Sequence, residues 1–282
     1  MLKIVMDSAC EIPQEWQTEF DVAVIPINIQ FGNKTYKQGI DLSNDDFYRL
    51  ADSTGVIPKT SQPSPQQFVE FYKRIAQVGD TILSLHVTSK LSGTFNSAIL
   101  AAQELRNKIN VIPYDSGAGS AAVGFMCKEA RQLERAGATI QGIMTRLDVI
   151  RQNVNIVLTL DSLEYAKRSG RVKALPAALA ALINIKPIII LKDGILDMKE
   201  KVRTRQRAVN RVLEIIQQRV DDQLVNVAVV HAQSLEAAKQ LMLKVNETLH
   251  VNEAIISDLS IGVAANLGPG TIGIIAYAVV SI

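Results

Sequence analysis

The sequence is poor in the residues that usually carry catalysis. Among 282 residues there are two cysteines, Cys10 and Cys127, and three histidines, His86, His231 and His250. The cysteines form no CxxC pair, which excludes a disulfide framework or a cysteine-built zinc site. No HExxH, GxSxG or GxxxxGK[ST] motif occurs, so metalloprotease, nucleophile-elbow and P-loop chemistry have no owner. The histidines sit at strand ends or on a polar turn and read as structural. Charge of one sign is also lacking: the formal net charge is +2, too small to draw the whole chain to nucleic acid or an anionic membrane. Long apolar runs are missing as well. The near-apolar stretches around Ile183–Leu191 and Ile272–Val280 are too short to span a bilayer. The opening MLKIVMDSACEI is interrupted by Asp7 and carries no cleavage motif, so it reads as a buried strand and not a signal peptide. A soluble, cytoplasmic protein without an integral membrane segment is expected.

Apolar residues are plentiful at 48 %, enough for substantial cores and too many for a disordered chain. Short β-branched runs alternate with amphipathic stretches, the pattern of parallel βαβ units. Strands are expected at Lys3–Met6, Val22–Ile25, Thr81–Val87 and Asn110–Pro113, with helices at Gln66–Gln77, Thr94–Arg106 and Ala121–Ala136. Phe68, Val69, Tyr72 and Ile75 fall at helical spacing and form a core stripe. A hairpin at Ile27–Gly39 reads as an edge addition.

After a helix at Gln141–Asn153 and a strand at Ile156–Leu160, the pattern changes. A short helix, Leu163–Arg168, leads to a helix at Pro176–Ile183, with Pro176 suited to a first turn. The Asp193–Gly194 pair between Ile185–Leu191 and Ile195–Lys201 is a hairpin signal. Helices at Thr204–Arg219 and Leu235–Thr248 and strands at Val225–His231, Ala254–Leu259 and Ile272–Val280 follow. The fold class expected is α/β in two domains. Residues 1–160 would hold a mainly parallel sheet with helices on both faces, and residues 161–282 a mixed sheet.

Four turns rich in hydroxyls and glycine punctuate the first half: Asp7–Pro13, Lys59–Pro65, Ser89–Thr94 and Asp115–Gly119. Parallel strands deliver their C-terminal ends to one edge, where ligands bind in doubly wound folds. Helix N-termini at that edge offer free N–H groups to an anion. Ser92 and the Gly93 amide, with a hydroxyl from Thr60 or Ser61, would make a small neutral cradle suited to a carboxylate. Read singly, Ser64 and Asp7 are helix-cap or turn residues.

Residues 161–207 carry eleven Lys/Arg against five Asp/Glu. Within them Lys167, Arg168 and Arg171 form a basic loop, read either as a solvated face or as a docking point for phosphate or an acidic partner. The run Leu175–Ile183 is apolar nearly all round, so a helix there must be buried or line an apolar cavity, with Ala178 and Ala181 leaving room. Near the end, Gly268-Pro269-Gly270 forces a tight turn. Asn266 before it would either face an inter-domain cleft or cap its own turn.

The set of turns resembles the DegV family. DSACEIP, KTSQPSP, SKLSGTFNSA, DSGAGSAAVG, LEYAKRSGRV, NIKPIIILKDG and NLGPGTIG occur in that family's order across Asp7–Gly273. The resemblance implies a non-enzymatic binding protein that takes no cofactor and holds a long-chain fatty acid in a tunnel between two α/β domains. It implies Thr60 and Ser92 as main headgroup ligands, with Ser61 and Gly93 as helpers. It further implies a partner, a fatty acid kinase subunit that phosphorylates the bound carboxylate for phospholipid synthesis, docked through Lys167, Arg168 and Arg171.

Two positions depart from the pattern. Asn266 stands where the family usually has a histidine that reaches the carboxylate, and an amide cannot become cationic. Ser169-Gly170-Arg171 replaces a Gly-Gly-Arg. Competing readings are a phosphotransferase related in fold to dihydroxyacetone kinase, a serine hydrolase using Ser92 or Ser61, and a nucleic-acid-binding regulator. The first lacks a placed histidine and an ATP domain, the second a base within reach. The last lacks aromatic stacking residues in its basic stretch.

Overall fold

A computed structural model describes residues 1–175 and 185–279. The chain divides into two compact units, Met1–Arg151 with Ser260–Val263, and Gln152–Leu259 with Ala264–Ile282. The division comes earlier than the expected boundary at 160, because the strand at Asn155–Thr159 pairs within the second unit's sheet. The helix expected at Pro176–Ile183, with Ala178 and Ala181, lies outside the described residues.

In the first unit the elements run β1 (Leu2–Asp7), α1 (Gln14–Glu19), β2 (Val22–Ile25), β3 (Asn28–Phe31), β4 (Lys34–Lys37), α2 (Asn44–Thr54), β5 (Lys59–Ser61), α3 (Pro65–Ile75), β6 (Thr81–His86), α4 (Thr94–Leu105), β7 (Asn110–Asp115), α5 (Ala121–Arg135) and α6 (Ile140–Asn153). Strands β2-β1-β6-β7 form one sheet, parallel throughout. Its central strands are buried on both faces: Ile4, Val5, Ile82 and Leu83 are all fully covered, as a two-sided parallel sheet requires. Val5 and Ile82 pack with Phe68, Tyr72, Ala98 and Ala101 of α3 and α4, and α5 lies against β1 and β6. The sharp start of α3 comes from Ser64, whose hydroxyl accepts from the Gln67 N–H while the Gln67 side chain accepts from the Ser64 N–H, with Pro65 at the first helical position.

The hairpin expected as an edge addition is instead part of a separate antiparallel sheet, β4-β3-β5. Ser8 explains the departure. Its N–H donates to the Ile25 carbonyl at 3.0 Å, and its hydroxyl accepts from the Ile27 N–H at 2.9 Å. The chain leaving β2 is thereby held at Ser8, and β3 finds β5 as its second partner.

In the second unit follow β8 (Asn155–Thr159), α7 (Glu164–Ser169), β9 (Val172–Lys173), β10 (Lys186–Lys192), β11 (Ile195–Val202), α8 (Arg205–Val220), β12 (Val225–His231), α9 (Leu235–Thr248), β13 (Val251–Asp258), α10 (Ile261–Leu267), whose residues up to Val263 belong to the first unit, and β14 (Ile272–Ala278). The sheet order β13-β12-β14-β8-β10-β11-β9 mixes parallel and antiparallel pairs. Asp193 and Gly194 both adopt positive φ in the β10–β11 turn, as a two-residue hairpin of this kind demands. Ala208, Val212 and Ile216 of α8 bury against Val157, Val227 and Ile274.

The turn before β14 is tight for a definite reason. Gly270 has φ +78°, and a Cβ there would lie 2.5 Å from the Asp161 Cβ. Both the backbone conformation and the missing side chain are required. Gly270→Ala is therefore expected to lower stability by about 2–4 kcal/mol, measured as a shift in the urea midpoint.

Candidate functional site

The C-terminal edge of the parallel sheet gathers three of the four hydroxyl-rich turns, those after β1, β6 and β7, and a buried polar chain holds the first two there. Asp7, at the end of β1, is fully buried. Its Oδ1 accepts from the Ala9 N–H at 3.1 Å, which shapes the first turn. Its Oδ2 accepts from the Val87 N–H at 3.1 Å and lies 3.0 Å from His86 Nδ1 at the end of β6. The other ring nitrogen, Nε2, is 2.9 Å from Ser84 Oγ, which accepts from the Tyr72 hydroxyl of α3 at 2.8 Å. One arrangement satisfies every hydrogen: Tyr72 O–H to Ser84, Ser84 O–H to Nε2, and Nδ1–H to the carboxylate. Burial pushes the Tyr72 phenol up, so it stays a donor.

Ser84, His86 and Asp7 have the distances of a hydrolase triad, yet all three are fully buried. The serine lone pairs already face Tyr72. This is an anchor joining α3, β6 and β1, with Ser84 shut off from solvent.

The remaining turns are tied to the same edge. The Thr88 N–H donates to the Ala118 carbonyl at 2.7 Å, and the Asp115 carboxylate accepts from Ser89 and Gly117 N–H groups at 3.2 and 3.0 Å. Glu11 of the first turn is buried, bonded by the Ser120 hydroxyl and by the Ser260 N–H at 2.7 Å. Ser120, before α5, has φ +59°, a strained conformation for a residue with a side chain.

Thr60 and Ser61 lie on β5, opposite Ile29 and Asn28 of β3. Thr60 is half-buried and Ser61 exposed. Ser92 and Gly93 precede α4: Ser92 Oγ is 2.8 Å from Thr94 Oγ1 and accepts from the Thr94 N–H at 3.3 Å, and Gly93 is the N-cap. The two segments meet, since the Gln62 carboxamide packs on Gly93. Of the expected headgroup residues, Thr60, Ser61, Ser92 and Gly93 all belong to the first unit. Asn266 stands at the end of α10, within the second unit's share of the chain.

Within that second unit, the Gly268–Gly270 turn packs on Tyr165 and Asp161, at the base of the basic segment. Lys167 and Arg168 are exposed on α7, and Arg171 is exposed beyond Gly170, which has the left-handed conformation that ends α7. Arg168 pairs with Glu164 at 3.3 Å, and the Arg171 guanidinium donates to the Ser169 carbonyl at 2.6 Å. Surface contacts of this kind contribute little to stability.

A family model described as "Uncharacterised protein, DegV family" matches residues 1–279. The chain belongs to the DegV family. A DegV domain-containing protein of Halalkalibacterium halodurans is 32% identical over 278 residues, covering 98% of each chain. Among solved structures, a Thermus thermophilus DegV family protein described by its fatty acid binding superposes with a TM-score of 0.89 at 29% identity, covering 99% of both chains. Bacillus subtilis DegV, described as a fatty acid binding protein, gives 0.86 at 30% identity, again over 99% of both chains. Among the described residues of this DegV-family chain, no helix is long and apolar enough to cross a membrane.

Sequence reasoning treated Asp7 as a turn residue and His86 as structural. It did not join them to Ser84 and Tyr72, nor Glu11 to Ser120 and Ser260. The available signal was a polar residue at the C-terminal end of two otherwise apolar strands.

Two outcomes are expected. His86→Ala leaves Asp7 and Ser84 without their shared partner and should cost about 2–4 kcal/mol in urea denaturation. Burial pushes both thiols, Cys10 and Cys127, up, so neither should react with iodoacetamide at pH 8 in the folded protein, while both react in urea.

Proposed function

We propose that this protein is a fatty-acid carrier of the bacterial cytoplasm, holding one long-chain fatty acid with its carboxylate at the edge of the parallel sheet. The full-length likeness to DegV proteins described as fatty acid binding carries this reading. In it, Ser92 and the Gly93 amide receive the carboxylate with hydroxyls from Thr60 and Ser61. A carboxylate suits neutral N–H and O–H donors at the start of α4, where first-turn N–H groups lack intrahelical acceptors. No cofactor enters the scheme.

The acyl chain would occupy a tunnel between the two domains, with Asn266 as a further amide toward the headgroup. Each buried methylene contributes about 0.8 kcal/mol, so a tail of about sixteen carbons supplies on the order of 10 kcal/mol before ordering costs. The polar cradle then sets which end of the lipid lies where. Lys167, Arg168 and Arg171 would dock an acidic face of a partner kinase that converts the carboxylate to an acyl phosphate for phospholipid synthesis. Asn266, being neutral, holds an anion less firmly than a protonated histidine would.

Native mass spectrometry of the purified protein should show one fatty acid bound per chain. Ser92→Ala and Thr60→Ala should each weaken binding by about 1–3 kcal/mol. Unchanged lipid occupancy in both variants would overturn the headgroup assignment.

A further inference from the structure

Gly93 sits against a single neighbour. A Cβ built there would lie 2.7 Å from Gln62 Nε2, 3.0 Å from its Cδ and 3.4 Å from its Oε1. The Gln62 carboxamide therefore lies across the Cα of the residue that caps α4, between the turn that carries Thr60 and Ser61 and the turn that carries Ser92. Gln62 is exposed, so this position does not come from burial. It comes from the main chain on either side.

The Gln62 carbonyl accepts from Asn28 Nδ2 at 3.3 Å. Residue 63 is a buried proline, and residue 64 is locked by the reciprocal Ser64–Gln67 bonds that start α3. Asn28 in turn meets the Gln67 amide at 3.5 Å. With its backbone fixed at both ends, Gln62 has little choice about where its side chain starts.

We propose that Gln62 is a specificity-determining residue of the headgroup site, its Nε2–H donating to the carboxylate beside Ser92 and the Gly93 amide. The inference rests on the fatty-acid reading and adds a carboxamide donor to that set, from the segment that also carries Thr60 and Ser61. The chemistry favours an amide over the alternatives. It donates to an anion without bringing a cation that would hold other acids equally well. Glutamate has the same shape but would be ionised near neutral pH, when it accepts only and repels a second carboxylate. A side chain at residue 93 would push the amide away from the helix start. The Gly93 φ of −78° is open to any residue, so the constraint is the space that Gln62 fills.

Gln62→Glu separates these roles, because it keeps shape and volume and changes only charge and donor. Delipidated wild-type and variant protein are titrated with palmitate and with 1-hexadecanol, and their urea midpoints are compared. The expected result is a loss of palmitate affinity of about tenfold or more, with hexadecanol affinity and the midpoint unchanged. Gly93→Ala should also weaken palmitate. On a Gln62→Leu background its effect should shrink, since the methyl acts by displacing the amide. Gln62→Glu binding palmitate as tightly as wild type would overturn the proposal. An equal loss for acid and alcohol would also overturn it, making Gln62 a matter of shape. A wild-type protein that takes up neither ligand would refute the fatty-acid reading itself, a different failure that the same titration reveals.

Discussion

A carboxylate with no water contact must find donors inside the protein, and Asp7 meets that demand by joining its own turn to the end of β6. Its oxygens accept from the turn after β1, from the main chain just past β6 and from the His86 ring. An uncompensated buried charge is costly, so none of these segments can drift without a large penalty. Ser84 and Tyr72 extend the constraint to α3. That helix carries the Thr60–Gln62 segment at its entrance, and β6 leads into the Ser92–Gly93 segment. Two neutral, partly exposed stretches of chain are thus tied together by a polar chain that never reaches solvent.

The arrangement divides labour between depth and surface. Asp7, His86 and Tyr72 lie deep and bonded to one another through Ser84, while Thr60, Ser61, Gln62 and Ser92 nearer the surface carry hydroxyls and an amide. A carrier benefits from that division: it should hold an acid without transforming it. The resemblance of Ser84, His86 and Asp7 to a hydrolytic triad shows why distances alone do not define an active site. Exposure and the direction of each hydrogen bond decide.

Much of this was legible in the sequence. The strands of the parallel sheet and the helices at 94–106 and 121–136 could be placed because apolar runs and amphipathic periods alternate without interruption. The hydroxyl-rich turns followed from strand polarity. What escaped notice depends on contacts between residues far apart in the chain. Nothing around His86 signals Asp7, and a hairpin at Ile27–Gly39 looks the same whether it joins the large sheet or, held by Ser8, forms its own with β5. The contact of Gln62 with Gly93 was passed over for a similar reason: it is made only across the fold. The strand at Asn155–Thr159 was assigned to the wrong side of the boundary, since its pairing with β14 spans most of the second unit's length.

The return of Ser260–Val263 to the first unit has a consequence for how such a protein can be taken apart. Glu11 depends on the Ser260 amide, although some 250 positions of chain intervene. A fragment ending at Arg151 would contain every strand of the parallel sheet and still carry an interior acid deprived of one donor. Dissection, domain exchange and gene fusion at that seam would therefore each cut a bond that linear maps do not show.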